Sequence, residues 1–250
     1  MRIPFVCGDP QRELLKTRQG ESDLILFRDQ LFLSATCEMD EPIPTEGQEV
    51  LGLDLGIVNI AVDSDGKVYS GKTINPVRYR HRRLRAKVQS KATTDTHPQV
   101  RKAAKRLLKK LSGKEARFGR HTNHVISKQV VKTAKDTRRD LALEDLGGIR
   151  DRVTVRRSQR ATLHGWSFYQ LRSFLEYKSK LAGVHLIAVD PRNTSRTCPS
   201  CGCVDKRNRP NQSTVKCIQC GYSGLADYIA SENIRRVAVS RPYLSASTNG

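Results

Sequence analysis

Apolar positions along the chain follow two rhythms, short runs of strand type and longer stripes spaced three to four residues apart. Leu24-Ile25-Leu26-Phe27, then Arg28-Asp29-Gln30, then Leu31-Phe32-Leu33 reads as a hairpin. A lone hairpin cannot stably bury its own face, so residues 1–49 are expected to pack on the rest of the chain, on a partner or on further segments. Pro42, Pro44 and Gly47 mark a linker. Short runs at 50–56, 60–63 and 67–69, joined by Asp/Gly turns such as Asp65-Gly66, predict a three-stranded meander. Pro98 suits the first turn of a helix with Val100, Ala104, Leu107, Leu108 and Leu111 as its stripe. A second helix carries Val125, Ile126, Val130 and Ala134 toward Leu141. Leu141 to Leu146 reads as a strand ending in acids and followed by Gly147-Gly148. Trp166, Phe168, Leu171, Leu175 and Leu181 suggest another helix, and Val184 to Val189 a buried strand. A last helix starts near Ala226, and 240–250 is polar enough to be disordered.

Charge changes this picture. The chain has 250 residues with 45 Lys and Arg against 25 Asp and Glu, a net charge of +20, which points to a polyanion such as nucleic acid. The excess is concentrated: between Arg78 and Lys110, thirteen basic residues face one acid, Asp95. Arg78, Arg80, Arg82, Arg83, Arg85, Lys87, Arg101, Lys102, Lys105 and Arg106 are the candidates for holding a phosphate backbone. Aromatic residues make up only 6%, so base stacking is a minor feature. No apolar run spans a membrane, and the start lacks the apolar core of a signal peptide. Four of the seven cysteines form two C-x-x-C pairs, which favours metal binding in a reducing, cytoplasmic setting over disulfides.

Those pairs carry the sharpest chemistry. Cys198 and Cys201, then Cys217 and Cys220, have the spacing of two thiolate knuckles around a tetrahedral zinc ion. Gly202 and Gly221 follow each second cysteine, where the turn wants positive φ. Four thiolates leave no open position, so the zinc is structural, and Cys203 is left as a spare. Asp54 ends an apolar run beside Gly56, a position suited equally to a metal ligand and to an ordinary turn. Glu144 ends another run, and only one of Glu144 and Asp145 can face a given side of the sheet. Asp227 sits at a helix start, where the dipole also favours an acid. Two carboxylates 4 Å apart repel by about 4 kcal/mol at an effective dielectric of 20, so a trio calls for a cation, and magnesium suits oxygen donors.

Together, Gly52-Leu53-Asp54-Leu55-Gly56-Ile57-Val58-Asn59, Leu143-Glu144-Asp145-Leu146, the stretch Thr194 to Gly202 and the stretch Asp227 to Ile234 resemble the TnpB/OrfB family of insertion-sequence RNA-guided DNA endonucleases. The resemblance runs from about Asp23 to Val239. It implies an α/β fold: an RNase H-like (RuvC-like) mixed sheet with flanking helices, an inserted zinc ribbon and an N-terminal hairpin of a partial β-barrel. It implies a wedge-like segment at 1–49, the nuclease domain at 50–192, the ribbon at 193–225, a final helix at 226–239 and a tail at 240–250. It makes Asp54, Glu144 and Asp227 the catalytic acids, binding magnesium for two-metal hydrolysis of DNA, with a guide RNA as partner. Ile229-Ala230-Ser231 stands where the family usually carries Asn-Ala-Ala, and only a hairpin precedes Val50, as in an N-terminally truncated copy. The alternatives are a DNA- or RNA-binding remnant without cleavage and, more remotely, an actin-like ATPase.

Overall fold

The computed structural model describes residues 4–27, 29–44, 47, 49–145 and 168–240. The chain divides into two units, Met1–Ile43 and Pro44–Gly250. The first holds a short helix α1 (Asp9–Leu14) and the antiparallel pair β1 (Arg18–Phe27) and β2 (Gln30–Cys37). Asp29, at φ 61°, makes the tight turn between them, a conformation Asp tolerates better than most residues. The hairpin forms as expected, and its apolar side chains stay open: Leu24, Leu26, Phe27 and Leu31 are all more than half exposed.

The second unit is built on a five-stranded mixed sheet. Its strands are β3 (Glu49–Leu55), β4 (Asn59–Asp63), β5 (Val68–Ser70), β6 (Arg139–Glu144) and β7 (Leu186–Val189), in the order β5-β4-β3-β6-β7. β3, β4 and β5 form the predicted antiparallel meander, whose last turn is closed by Gly66 at φ 84°. β6 pairs parallel with β3, in register Leu53 to Leu143, and β7 pairs parallel with β6, Glu144 to Val189. Between β5 and β6 run three helices, α2 (Ile74–Thr94), α3 (Pro98–Leu111) and α4 (Lys114–Asp136); α5 (Phe168–Ala182) precedes β7.

Strand alternation sorts the core into two faces. Leu51, Leu53, Leu141 and Leu143 turn to one side and pack with Ile126, Val130 and Ala134 of α4 and Leu171 and Leu175 of α5. Val50 and Ala142 turn to the other and meet Ile234 and Ala238 of the last helix, α6 (Ala226–Ser240). Gly52 belongs to this second face. A Cβ there would collide with the Ser231 carbonyl and lie 2.7 Å from the Arg235 nitrogen, so glycine lets α6 rest against β3.

The helices depart from the apolar pattern in three places. The basic stretch from Ile74 forms α2, a helix that periodicity does not mark, because its basic residues outnumber its buried apolar side chains, Val88 and Ala92. α3 begins at Pro98 as predicted, yet it packs through Ala104, Leu108 and Leu111, while Val100 and Leu107 are exposed. α4 likewise buries Ile126, Val130 and Ala134 but not Val125. Trp166, Gly147, Gly148 and the tail 241–250 lie outside the described residues.

Candidate active site and cysteine knuckles

The sheet register brings two of the acids together. Asp54 shares its parity with Val50 and Gly52, and Glu144 with Ala142, so both point to the α6 face at the carboxyl ends of adjacent parallel strands. Asp227 lies in the first turn of α6, on that same side. All three line one open cleft of about 680 Å³, together with Asn59, Thr194, Arg209 and Tyr228. Asp145, with the opposite parity, is exposed and pairs with Arg172 of α5 at 2.6 Å, which settles which of the neighbouring acids enters the cleft.

Each acid has its own support. The Thr194 hydroxyl donates a short hydrogen bond to Glu144 Oε1. Asn59 Nδ2 donates to Asp227 Oδ2 at 2.8 Å. Burial first, then the negative charges of Glu144 and Asp227, push the Asp54 carboxyl up to about 7, against the pull of Arg209 and the Leu55 N–H. Burial also raises Glu144, opposed by Thr194 and Arg209. Arg209 is thus a cation that answers the acids in the cleft. Sequence reasoning does not reach Thr194, Asn59 or Arg209 as site residues; Asn59 and Thr194 lie within the quoted motifs, but nothing in the sequence marks Arg209.

The cysteines form the second feature. The four Sγ atoms of Cys198, Cys201, Cys217 and Cys220 all lie within 4.8 Å of one another, with Cys198–Cys220 at 3.6 Å and Cys201–Cys217 at 3.5 Å. This set can hold a metal ion. Among the described residues it is the one group of three or more His, Cys, Asp or Glu ligands drawn so close; the three acids share a cleft but are spaced more widely. The two knuckles repeat one pattern. Gly202 N–H donates to the Cys198 carbonyl and Gly221 N–H to that of Cys217, with both glycines at φ 74°. N–H groups of Cys220 and Gln219 face Cys217 Sγ and hold its thiol down at about 6. Cys203 stays outside the set, and its carbonyl accepts from Cys198 N–H.

Two buried asparagines lock this region. Asn208 donates to the Cys203 and Arg196 carbonyls and accepts from Ile218 N–H, bridging one knuckle to the other. Asn233 of α6 donates to the Thr194 and Thr197 carbonyls at 2.7 and 2.8 Å. β8 (Thr214–Lys216) and β9 (Ser223–Leu225) flank the second knuckle, and the Ser213 carbonyl accepts from Ala226 N–H where α6 begins. The knuckles, Thr194 and Asp227 are therefore one connected structure.

The basic segment occupies α2 and α3. Arg80, Arg83, Arg85, Lys87, Arg101, Lys102, Lys105 and Arg106 are exposed, and Arg82 is half-buried. Arg78 departs from the expectation of a surface phosphate contact: its side chain is 7% exposed and turned toward Glu115, 3.9 Å away.

A mixed sheet with helices on both faces makes this an α/β protein. A solved Cas12f1–sgRNA–target DNA complex shares this fold, with a TM-score of 0.58 and 20% identity over 82% of this chain and 53% of that one. A family model described as a probable transposase matches residues 34–147, and one described as a Cas12f1-like TNB domain matches 168–234. The TnpB-like protein MJ0751 of Methanocaldococcus jannaschii is 31% identical over 93% of this chain and 84% of its own length. The chain belongs to the TnpB/OrfB family. The CRISPR-associated endodeoxyribonuclease Cas12f1 of Sulfoacidibacillus thermotolerans is 38% identical over 51% of this chain, a match spanning 29% of that relative. The chain thus spans most of the archaeal relative and well under half of this Cas12f1 protein.

Proposed function

We propose that the chain is a metal-dependent, RNA-guided DNA endonuclease of an insertion sequence, with Asp54, Glu144 and Asp227 as its catalytic acids. The observation that carries the reading is the gathering of three sequence-distant carboxylates in one cleft, at the carboxyl ends of β3 and β6 and the start of α6. The strand order, an antiparallel meander extended by two parallel strands, supports the finer assignment of an RNase H-like (RuvC-like) domain. The knuckles support a zinc ribbon held by Cys198, Cys201, Cys217 and Cys220, since thiolates at this spacing suit tetrahedral zinc.

The acid cleft suits a hard cation. Its donors are oxygens, and Asp54 at about 7 reflects burial and carboxylates that repel one another, with Arg209 as a partial answer. Asp54, Glu144 and Asp227 would hold magnesium, which supplies water activation and charge stabilisation at the leaving oxygen when bound. The chain's own residues do the rest. Asn59 aims Asp227, Thr194 aims Glu144, and Arg209 offers a guanidinium to a phosphate of the DNA strand entering the cleft. The exposed arginines and lysines of α2 and α3 would carry the guide RNA or its duplex with DNA by charge alone. No described helix is long and apolar enough to cross a membrane.

The test supplies the chain with a guide RNA, a matching DNA duplex and magnesium. Wild type cuts and Asp54→Ala does not. Equal cutting by both removes the catalytic assignment. Binding of RNA and DNA without any cutting turns the reading into that of a binding remnant.

A further inference from the structure

A second concavity, of about 360 Å³, lies apart from the acid cleft, and the described residues that line it are all different from those of the cleft. Arg78, His81 and Arg85 reach it from α2, at spacings of three and four that keep them on one helix face. Arg120 reaches it from α4, which also supplies Glu115 and Gly119. Among the described residues, three guanidiniums and an imidazole face one carboxylate here, an excess of positive charge. Arg78 is largely buried, which makes its charge harder to screen than that of an exposed arginine.

We propose that this concavity, between α2 and α4, is a phosphate-binding seat for the backbone of a nucleic-acid strand. Arginines from two helices suit the oxygens of a phosphodiester, which a guanidinium can grip in pairs. Arg78 and Arg85 stand about 10 Å apart along the axis of α2, a longer span than one phosphate, which favours a passing strand over a small free anion. Gly119 keeps the floor low. A Cβ built on it meets nothing within 4 Å, so a longer side chain there fills the seat without displacing the fold. The seat deepens the nucleic-acid reading above and rests on it.

The experiment measures binding of a fluorescent single-stranded DNA oligonucleotide to the full, zinc-loaded chain across a salt series, for wild type, Arg120→Ala, Gly119→Glu and Gly119→Gln. Replacing glycine within a helix favours the helix, so the Gly119 variants keep the melting temperature. Arg120→Ala and Gly119→Glu are expected to bind about three- to tenfold more weakly, with a salt slope shallower by about 0.7 for each phosphate no longer neutralised. Gly119→Gln, which fills without adding charge, falls between. Wild-type affinity and slope in both Gly119→Glu and Arg120→Ala would overturn the seat while leaving the nucleic-acid reading intact. A wild type that binds no oligonucleotide overturns both. Inorganic phosphate that raises the melting temperature of wild type but not of Gly119→Glu, with oligonucleotide affinity equal in the two, would assign the seat to a free anion and reject a strand.

Discussion

Asn59 begins the strand that follows the one carrying Asp54, and its side-chain amide reaches a partner 168 positions further along the chain, Asp227. Thr194 does the same for Glu144 across 50 positions, so two of the three carboxylates are each aimed by a neighbour from another element. Asn59→Ala should leave the melting temperature within about a degree or two and reduce cleavage by about 10- to 100-fold, as removal of an orienting partner does at metal sites. Asp54 offers a sharper test. Its carboxyl is raised to about 7 in the folded chain against 3.8 when free, so the folded state holds its proton more tightly. Stability from this group is complete below about pH 4 and is lost as pH rises through about 7. In the magnesium-free protein, Asp54→Asn should therefore raise the melting temperature more at pH 8 than at pH 5, with a gain of about 1–4 kcal/mol at the higher pH. An equal effect at both would show that burial and the neighbouring acids do not raise this carboxyl.

Among elements, the packing of β3 on α6 decides whether the acids meet. Gly52 sits two residues before Asp54 and against the turn of α6 that follows Asp227. Gly52→Ala inserts a methyl group where backbone already stands; it should cost about 1–3 kcal/mol by thermal melting and separate the acids enough to lower cleavage. The knuckles act on the same helix through Asn233 and Ser213. Removing the metal with a strong chelator should release one zinc per chain and lower cleavage even when magnesium is in excess, because Thr194 and the start of α6 are then without their anchor. Periodicity suffices to place β3 to β7 and most helices. It fails at α2, where a largely exposed, basic surface leaves few apolar residues to mark the buried face.

For the whole molecule, a charge of +20 is spread unevenly, and the exposed arginines and lysines of α3 form one of its denser parts. Changing Arg101, Lys102, Lys105 and Arg106 together to Gln should weaken RNA binding and flatten its salt dependence while leaving the fold intact, since all four are exposed. An unchanged salt slope would show that the strand runs elsewhere.

The cysteine knuckles are legible along the chain itself, because ligand spacing within one turn confines where four sulfurs can point. So are the meander, the two further strands and the basic character, which follow from local pattern and from composition. Asp54, Glu144 and Asp227, by contrast, each keep an ordinary local explanation until the chain is folded. Parity and register across β3 and β6 put two of them on one face, and the packing of α6 on Gly52 delivers the third. Arg209, Asn59 and Thr194 enter the site the same way, through distances in space that no spacing along the chain records.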